Sequence, residues 1–208
     1  MFATFNHKNF QDICDLLAAA DPDLAMVIEQ HGYPPMWSRP NTFESLVHII
    51  LEQQVSLASA LAALTKLKER IGEFTPAQVL LLTDDDFKSC YFSRQKTIYT
   101  RCLAEAIVAG RINLNAFETL PDDEVRLQLT SLKGIGNWTV DVYLMCVLHR
   151  ADVFPPGDLA AVLALKKLKG LPASTPKETL IQHAAVWQPY RTVATMILWH
   201  FYLSSRKK

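Results

Sequence analysis

Asp158 is the residue whose type and setting most suggest chemistry. It follows a Pro155-Pro156-Gly157 corner and stands directly before an apolar-periodic run, Leu159 to Leu168, where it reads as a helix N-cap. Upstream, by the length of one helix and a loop, is the turn Leu132-Lys133-Gly134-Ile135-Gly136-Asn137-Trp138-Thr139. Glycines on either side of one apolar residue let a backbone come close to whatever it meets. A helix starting immediately afterwards, expected over Val140 to Leu148, points unpaired N–H groups outward, which suits a phosphate oxygen. Taken alone, an aspartate before an apolar run is a plain N-cap. Its place behind the glycine turn and the Pro-Pro-Gly corner makes Asp158 a catalytic candidate. Asp141, inside the expected helix, is read as solvated or structural, and Asp152 as ordering the loop before the corner.

Helices must position these groups. Asn9 to Ala20 is an apolar-periodic run broken by Asp21-Pro22, where Asp21 can cap the next helix and Pro22 fits its first turn. His31 to Asn41, with three prolines and a glycine, is a loop. Phe43, Leu46, Val47, Ile50 and Leu51 then mark one buried helical face. Gln53-Gln54 ends that run, and Ser56 can cap a long helix over Leu57 to Ile71. Thr75-Pro76-Ala77-Gln78 and Thr175-Pro176-Lys177-Glu178 both read as capping boxes with proline at the first helical position. Asp84-Asp85-Asp86 opens a short helix, and Ser93 begins one that reaches Ala109. Pro121-Asp122-Asp123-Glu124 begins the helix entering the glycine turn, and the last helix runs from about Tyr190 to Tyr202. No segment alternates with period two, so an all-α chain of about ten or more helices is expected.

The 208 residues, 50% of them hydrophobic, suffice for a real core in one domain or two small lobes. No apolar run approaches the ~20 residues of a membrane helix. The opening MFATFNHKNF lacks the basic and apolar regions of a secretory signal, so an intracellular protein is expected. Cys14, Cys90, Cys102 and Cys146 share no C-x-x-C spacing and read as buried, reduced thiols. The 21 basic and 21 acidic residues cancel, which weighs against a nucleic-acid partner unless the charges are segregated. Acids gather at Asp21/Asp23, Asp84-Asp85-Asp86 and Asp122-Asp123-Glu124. Bases gather at Arg94/Lys96/Arg101, Lys166-Lys167-Lys169 and Arg206-Lys207-Lys208. A basic face opposite acidic helix N-termini would reconcile neutrality with modest, salt-sensitive binding.

LKGIGNWTVDVYL resembles the helix–hairpin–helix of the base-excision DNA glycosylase superfamily, and VFPPGDLA resembles its Gly/Pro-rich loop ending in an aspartate. Phe43 to Ala60, FESLVHIILEQQVSLASA, is similar to the early helix and the loop that probes the minor groove. Ser93 to Ala106 and Trp187 to Trp199 resemble segments of the 3-methyladenine DNA glycosylase II branch. These segments follow the family order and cover most of the chain from Phe43 onward. The resemblance implies two helical lobes, residues 40–130 and residues 1–39 with 131–208, with a DNA cleft between them and the helix–hairpin–helix at 122–148. It also implies that the N-terminal β-rich lobe of the bacterial archetype is missing.

By the same likeness Asp158 is the catalytic carboxylate. N-glycosidic cleavage passes through an oxocarbenium-like sugar, so a nearby anion and an oriented water suit it. Trp138 and Trp199 line the implied pocket, where electron-rich rings stack on a base made cationic by methylation. Trp37 is a further aromatic that could serve there, and Val142 stands where the archetype has a tyrosine, which leaves the substrate range open. Gln53 and Gln54 match the probe, with Gln54 at the wedge that fills the hole left by a flipped base. Gly134, Gly136 and the Thr139 hydroxyl are expected on phosphate, and the carbonyls of Thr130, Leu132 and Ile135 are expected around a monovalent cation.

Bifunctional relatives of the endonuclease III and 8-oxoguanine glycosylase types carry a nucleophilic lysine after the hairpin glycines. Here Trp138 stands at that place and Lys133 lies on the other side, so no imine route is expected. No cysteine follows Cys146, so the iron–sulfur cluster of some relatives is not expected, and no cofactor is required. The expectation is a monomeric, monofunctional glycosylase of base excision repair, with no lyase step. Its substrate would be double-stranded DNA containing alkylated purines, 3-methyladenine foremost and 7-methylguanine next. Two other readings are a non-catalytic helix–hairpin–helix DNA-binding module and a same-fold glycosylase for another damaged or mismatched base.

Overall fold

The computed structural model describes residues 4–206; Lys207 and Lys208 of the basic tail, and the first three residues, lie outside them. Twelve α-helices make up the described residues, with one 3-10 turn at Ala116–Glu118 and one isolated bridge between Thr4 and Arg150. The all-α reading holds. No described helix is long and apolar enough to cross a membrane. The chain divides into two compact units, one running to Ser38 and resuming at Leu144, the other spanning Arg39–Tyr143. The second division falls later than the expected 130/131. The reason is local: the hairpin is hydrogen-bonded to Gln53 and packed on Tyr99, so it folds with the second unit.

The first unit holds α1 (Phe10–Ala20), α2 (Pro22–His31), α10 (Leu159–Leu168), α11 (Lys177–Ala185) and α12 (Arg191–Ser205). Helix α12 is its axis, packing on α1, α2 and α10. Seven successive residues, Thr192 to Leu198, are buried, as expected of a helix covered on every side. Thr175 does not cap α11 as its sequence suggested. Its hydroxyl donates to Pro172 O at 2.7 Å, and the helix starts at Lys177 without a side-chain cap.

The second unit holds α3 (Phe43–Glu52), α4 (Leu57–Ile71), α5 (Pro76–Leu80), α6 (Asp84–Ser89), α7 (Arg94–Val108), α8 (Asp122–Thr130) and the first part of α9 (Asn137–Cys146). Helix α3 buries Phe43, Leu46, Val47, Ile49, Ile50 and Leu51 against α4 and α7. Each such side chain contributes about 1.5–3 kcal/mol relative to exposure. Thr42, Ser56, Thr75, Thr83 and Ser93 cap their helices by accepting a backbone N–H. Thr83 and Asp86 form a reciprocal capping box.

A polar knot ties the first unit together. Asp21 caps α2 by accepting the Asp23 N–H at 3.0 Å, and also accepts Trp187 Nε1 at 2.8 Å. Lys169, the C-cap of α10, reaches both Asp21 oxygens at 2.8 Å and Asp23 at 2.7 Å. Burial alone would raise the Asp21 carboxyl, but the donors from Lys169, Trp187 and Asp23 together hold it below its usual range. Asp21→Asn is therefore expected to cost about 3 kcal/mol near neutral pH, read from urea midpoints. Because folding lowers this pKa, the difference is full above the unfolded value of 3.8 and shrinks as pH falls through the lower folded value. A penalty unchanged down to about pH 2 would remove ionisation as its cause.

Candidate active site

The corner that presents Asp158 is pinned by the first turn of α12. Thr192 Oγ1 donates to Arg150 O at 2.6 Å and accepts the Val153 N–H at 3.0 Å, while the Thr192 N–H donates to Ala151 O at 3.0 Å. Arg191 forks onto Asp152, with Nε on one oxygen at 2.6 Å and Nη2 on the other at 3.0 Å. Asp152 thus orders the loop, as its sequence position suggested. The Asp158 N–H closes the corner on Pro155 O at 3.0 Å.

The Asp158 carboxylate, 8% exposed, caps α10 by accepting the Ala161 N–H at 2.9 Å. The same oxygen accepts Trp199 Nε1 at 2.9 Å. Thr192 and Trp199 are two turns apart on α12, so one helix face fixes both the loop and its terminal carboxylate. The Trp37 ring meets Trp199 edge-on, with centroids 5.7 Å apart and planes at 88°. Trp37 also lines a pocket of ≈ 490 Å³ with Pro35, His200, Leu203, Ser204 and Arg206. A fixed anion beside two indoles suits a cation or a centre where positive charge develops.

The hairpin joins α8 to α9. Arg126 on α8 bridges to α9 by donating to Asn137 Oδ1 at 3.0 Å and to Asp141 at 2.6 Å. Asp141 is buried in that ion pair, not solvated. Within the turn the Ile135 N–H reaches Leu132 O at 3.2 Å. The two glycines serve different ends. Gly134 has φ +90, and a Cβ there would lie 2.0 Å from Cγ of Tyr99, so the fold itself requires it. Around Gly136 a Cβ would meet nothing within 4 Å. Its carbonyl accepts the Val140 N–H at 3.2 Å, which starts α9 three residues before the expected Val140. A bare backbone at an exposed helix start leaves room for an anion to approach. Trp138 follows, half-buried in the first turn of α9 and in the second unit, whereas Trp199 and Asp158 belong to the first.

Thr139, expected on phosphate, and Gln53, expected in the probe, face inward. Thr139 is 1% exposed, and its hydroxyl accepts Gln53 Nε2 at 2.9 Å. Gln53 donates its other amide proton to Gly134 O at 2.8 Å. Both protons of that amide are committed to the hairpin. Gln54 is exposed, with a left-handed backbone at φ 60, and beside it Val55 and Leu57 are 49% and 59% exposed. The tip is thus more apolar than its two glutamines suggest.

The expected basic groups are spent internally only in part. Lys96 donates to the carbonyls of Ile50, Leu51 and Gln53 at the end of α3. Burial pushes its ammonium down to about 8, with Glu52 pulling the other way. Arg101 lies over the Phe87 ring and bonds to Asp84 and Leu82 O, Lys166 bonds to Ala173 O, and Lys169 serves Asp21. Arg94, Lys133, Lys167 and Arg206 remain exposed.

A family model described as HhH-GPD superfamily base excision DNA repair protein matches residues 47–189. The chain belongs to the HhH-GPD superfamily. DNA-3-methyladenine glycosylase 1 of Schizosaccharomyces pombe is 32% identical over 76% of this chain and 71% of its own length. A solved structure of a 3-methyladenine DNA glycosylase from the same yeast, in complex with abasic DNA, aligns with TM-score 0.84 and 29% identity over 90% of this chain and 95% of that one. A DNA-3-methyladenine glycosidase from Bacillus halodurans aligns with TM-score 0.76 and 30% identity, over 100% of this chain and 95% of that one. The HhH-GPD match spans the Gln54 turn, the hairpin and Asp158 together. Sequence reasoning did not find Tyr99 or the inward role of Lys96. A lysine near the start of a helix reads as solvated, and nothing local announces that it caps another helix.

The glycines separate folding from binding. Gly134→Ala is expected to cost at least about 2 kcal/mol in stability, from backbone strain and the clash with Tyr99, and Gly136→Ala under about 1 kcal/mol. Gly136→Ala should instead weaken duplex DNA binding, read by fluorescence anisotropy. Equal melting temperatures for the Gly134 variant and wild type would refute the packing argument.

Proposed function

We propose that this chain is a monofunctional DNA glycosylase of base excision repair that acts on alkylated purines, 3-methyladenine foremost and 7-methylguanine next. The observation that carries this reading is the Asp158 carboxylate, buried at the N-terminus of α10 and anchored by Trp199. As the N-glycosidic bond lengthens, positive charge develops at C1′ of the sugar. An anion already held by two donors stabilises that charge with little rearrangement. The same carboxylate orients the water that attacks C1′ and takes the proton that water sheds, passing it on to solvent, while the electrons of the broken bond leave with the base. A base methylated at N3 or N7 is cationic and departs readily, and the indoles of Trp199 and Trp37 suit its stacking. Trp138 would add a further ring to base recognition. The name and 32% identity of the yeast relative support this substrate class.

The nucleophile in this reading is water. The first turn of α9 carries Asn137 and Trp138, not an amine, and Lys96 is committed to three carbonyls. Gln54, with Val55 beside it, would fill the stack after the base is flipped. Gly136 and the opening N–H groups of α9 would hold a backbone phosphate of the duplex. The carbonyls of Thr130, Leu132 and Ile135, hard oxygens at a tight turn, would suit Na⁺ or K⁺ and brace the hairpin. The protein would act as a monomer. A glycosylase for another damaged base is the second reading, favoured by Val142, which is buried as core and supplies no ring.

The deciding experiment is release of free base from methylated duplex DNA, resolved by chromatography, for wild type beside Asp158→Asn. Asparagine keeps an oxygen for both the Ala161 and Trp199 donors, so the variant removes charge rather than the cap. Excision should fall by about 10²–10³-fold or more. Undiminished release would remove Asp158 from the chemistry. Borohydride should trap no protein–DNA adduct, and efficient trapping would overturn the water mechanism.

A further inference from the structure

Helix α7 touches both loops assigned to DNA in the reading above. Lys96 and Tyr99, one turn apart on a shared helix face, reach different partners. Lys96 spends its ammonium on the last carbonyls of α3 and on Gln53 O, groups that a helix end otherwise leaves unpaired. Tyr99 offers the ring on which Gly134 lies, so close that no side chain fits between. Gln53 closes the triangle, donating to Gly134 O at 2.8 Å and to Thr139 Oγ1 at 2.9 Å. Directly after this thrice-held residue comes Gln54 in a left-handed conformation that costs about 1–3 kcal/mol and persists only where its surroundings dictate it.

We propose that Gln53, Lys96 and Tyr99 form a positioning clamp that fixes the Gln54 tip at a set distance from the phosphate-binding hairpin. The clamp rests on the functional reading above. Filling the stack and gripping the backbone must act on the same nucleotide, and a displacement of about 1 Å can cost about 10²-fold in rate. None of the three residues needs to touch the reacting atoms. A contact that served stability alone would lower activity on every substrate alike. The clamp matters only where a stacked base must be displaced.

The test compares Gln53→Met and Lys96→Met, which keep side-chain bulk but lose the donors, with wild type. One substrate carries the methylated base paired in duplex, and the other carries it opposite an abasic gap, where little stacking has to be broken. Excision from the paired site should fall by roughly 10- to 100-fold, and from the gapped site by less than about 3-fold. Equal losses on both substrates, or none on either, overturn the clamp. A second readout needs no chemistry: 2-aminopurine placed opposite a non-cleavable abasic analogue, whose fluorescence rises when the tip enters the stack. Both variants should reduce that rise. If wild type excises nothing yet gives a rise that the variants reduce, the glycosylase reading fails and the clamp stands. If wild type gives no rise, the clamp falls.

Discussion

The bond from Trp199 Nε1 to Asp158 is the constraint around which the first unit is arranged. A carboxylate with so little exposure is tolerable only if hydrogen bonds replace lost water. One donor comes from the helix that Asp158 begins, the other from a different helix, and the Pro155-Pro156-Gly157 corner delivers the aspartate to both. Each contact has its own support. Thr192 and Arg191 hold the loop before the corner, and the buried stretch of α12 keeps Trp199 in register with them. The anion's position therefore follows from how α12 packs, not from the loop alone.

Much of the fold was legible in the sequence because the signals were local. The cap at Asp21, the cap at Ser56 and the run Leu159 to Leu168 rest on spacing and residue type within a few positions, and each appears where expected. Thr175 failed for the complementary reason: its hydroxyl found the Pro172 carbonyl, a competition that the capping pattern does not encode. The Asp158 cap was legible because turn, helix and corner lie together along the chain. The bond between Gln53 and Thr139 was not legible because it spans the distance from the turn after α3 to the hairpin. Residue type alone does not say whether an amide meets solvent or a neighbouring loop.

The same gap between type and context explains the charge. Counted along the chain, Lys96, Arg101, Lys166 and Lys169 look like an electrostatic footprint for a polyanion. In the fold each is bound to carbonyls or carboxylates of its own unit. Net neutrality is then less of an obstacle to DNA binding than a measure of how much charge is used for construction. Other cations, among them Lys66, Lys88, Arg94, Arg111, Lys133, Lys167 and Lys177, stay exposed, so the neutral total hides positive charge still open to solvent.

Helix α10 begins at Asp158 and ends at Lys169, so the knot of Lys169 with Asp21 and Asp23 anchors its far end. Ten residues make a rod of about 15 Å, stiff on the scale of a side chain. The carboxylate is thus borne on a beam clamped at both ends, and tolerance to substitution should be shared between them. Screens that score only loss of function would place Asp21 and Lys169 beside Asp158, although neither belongs to its loop. Sensitivity would trace the load path through the helix and not proximity to Asp158 along the chain.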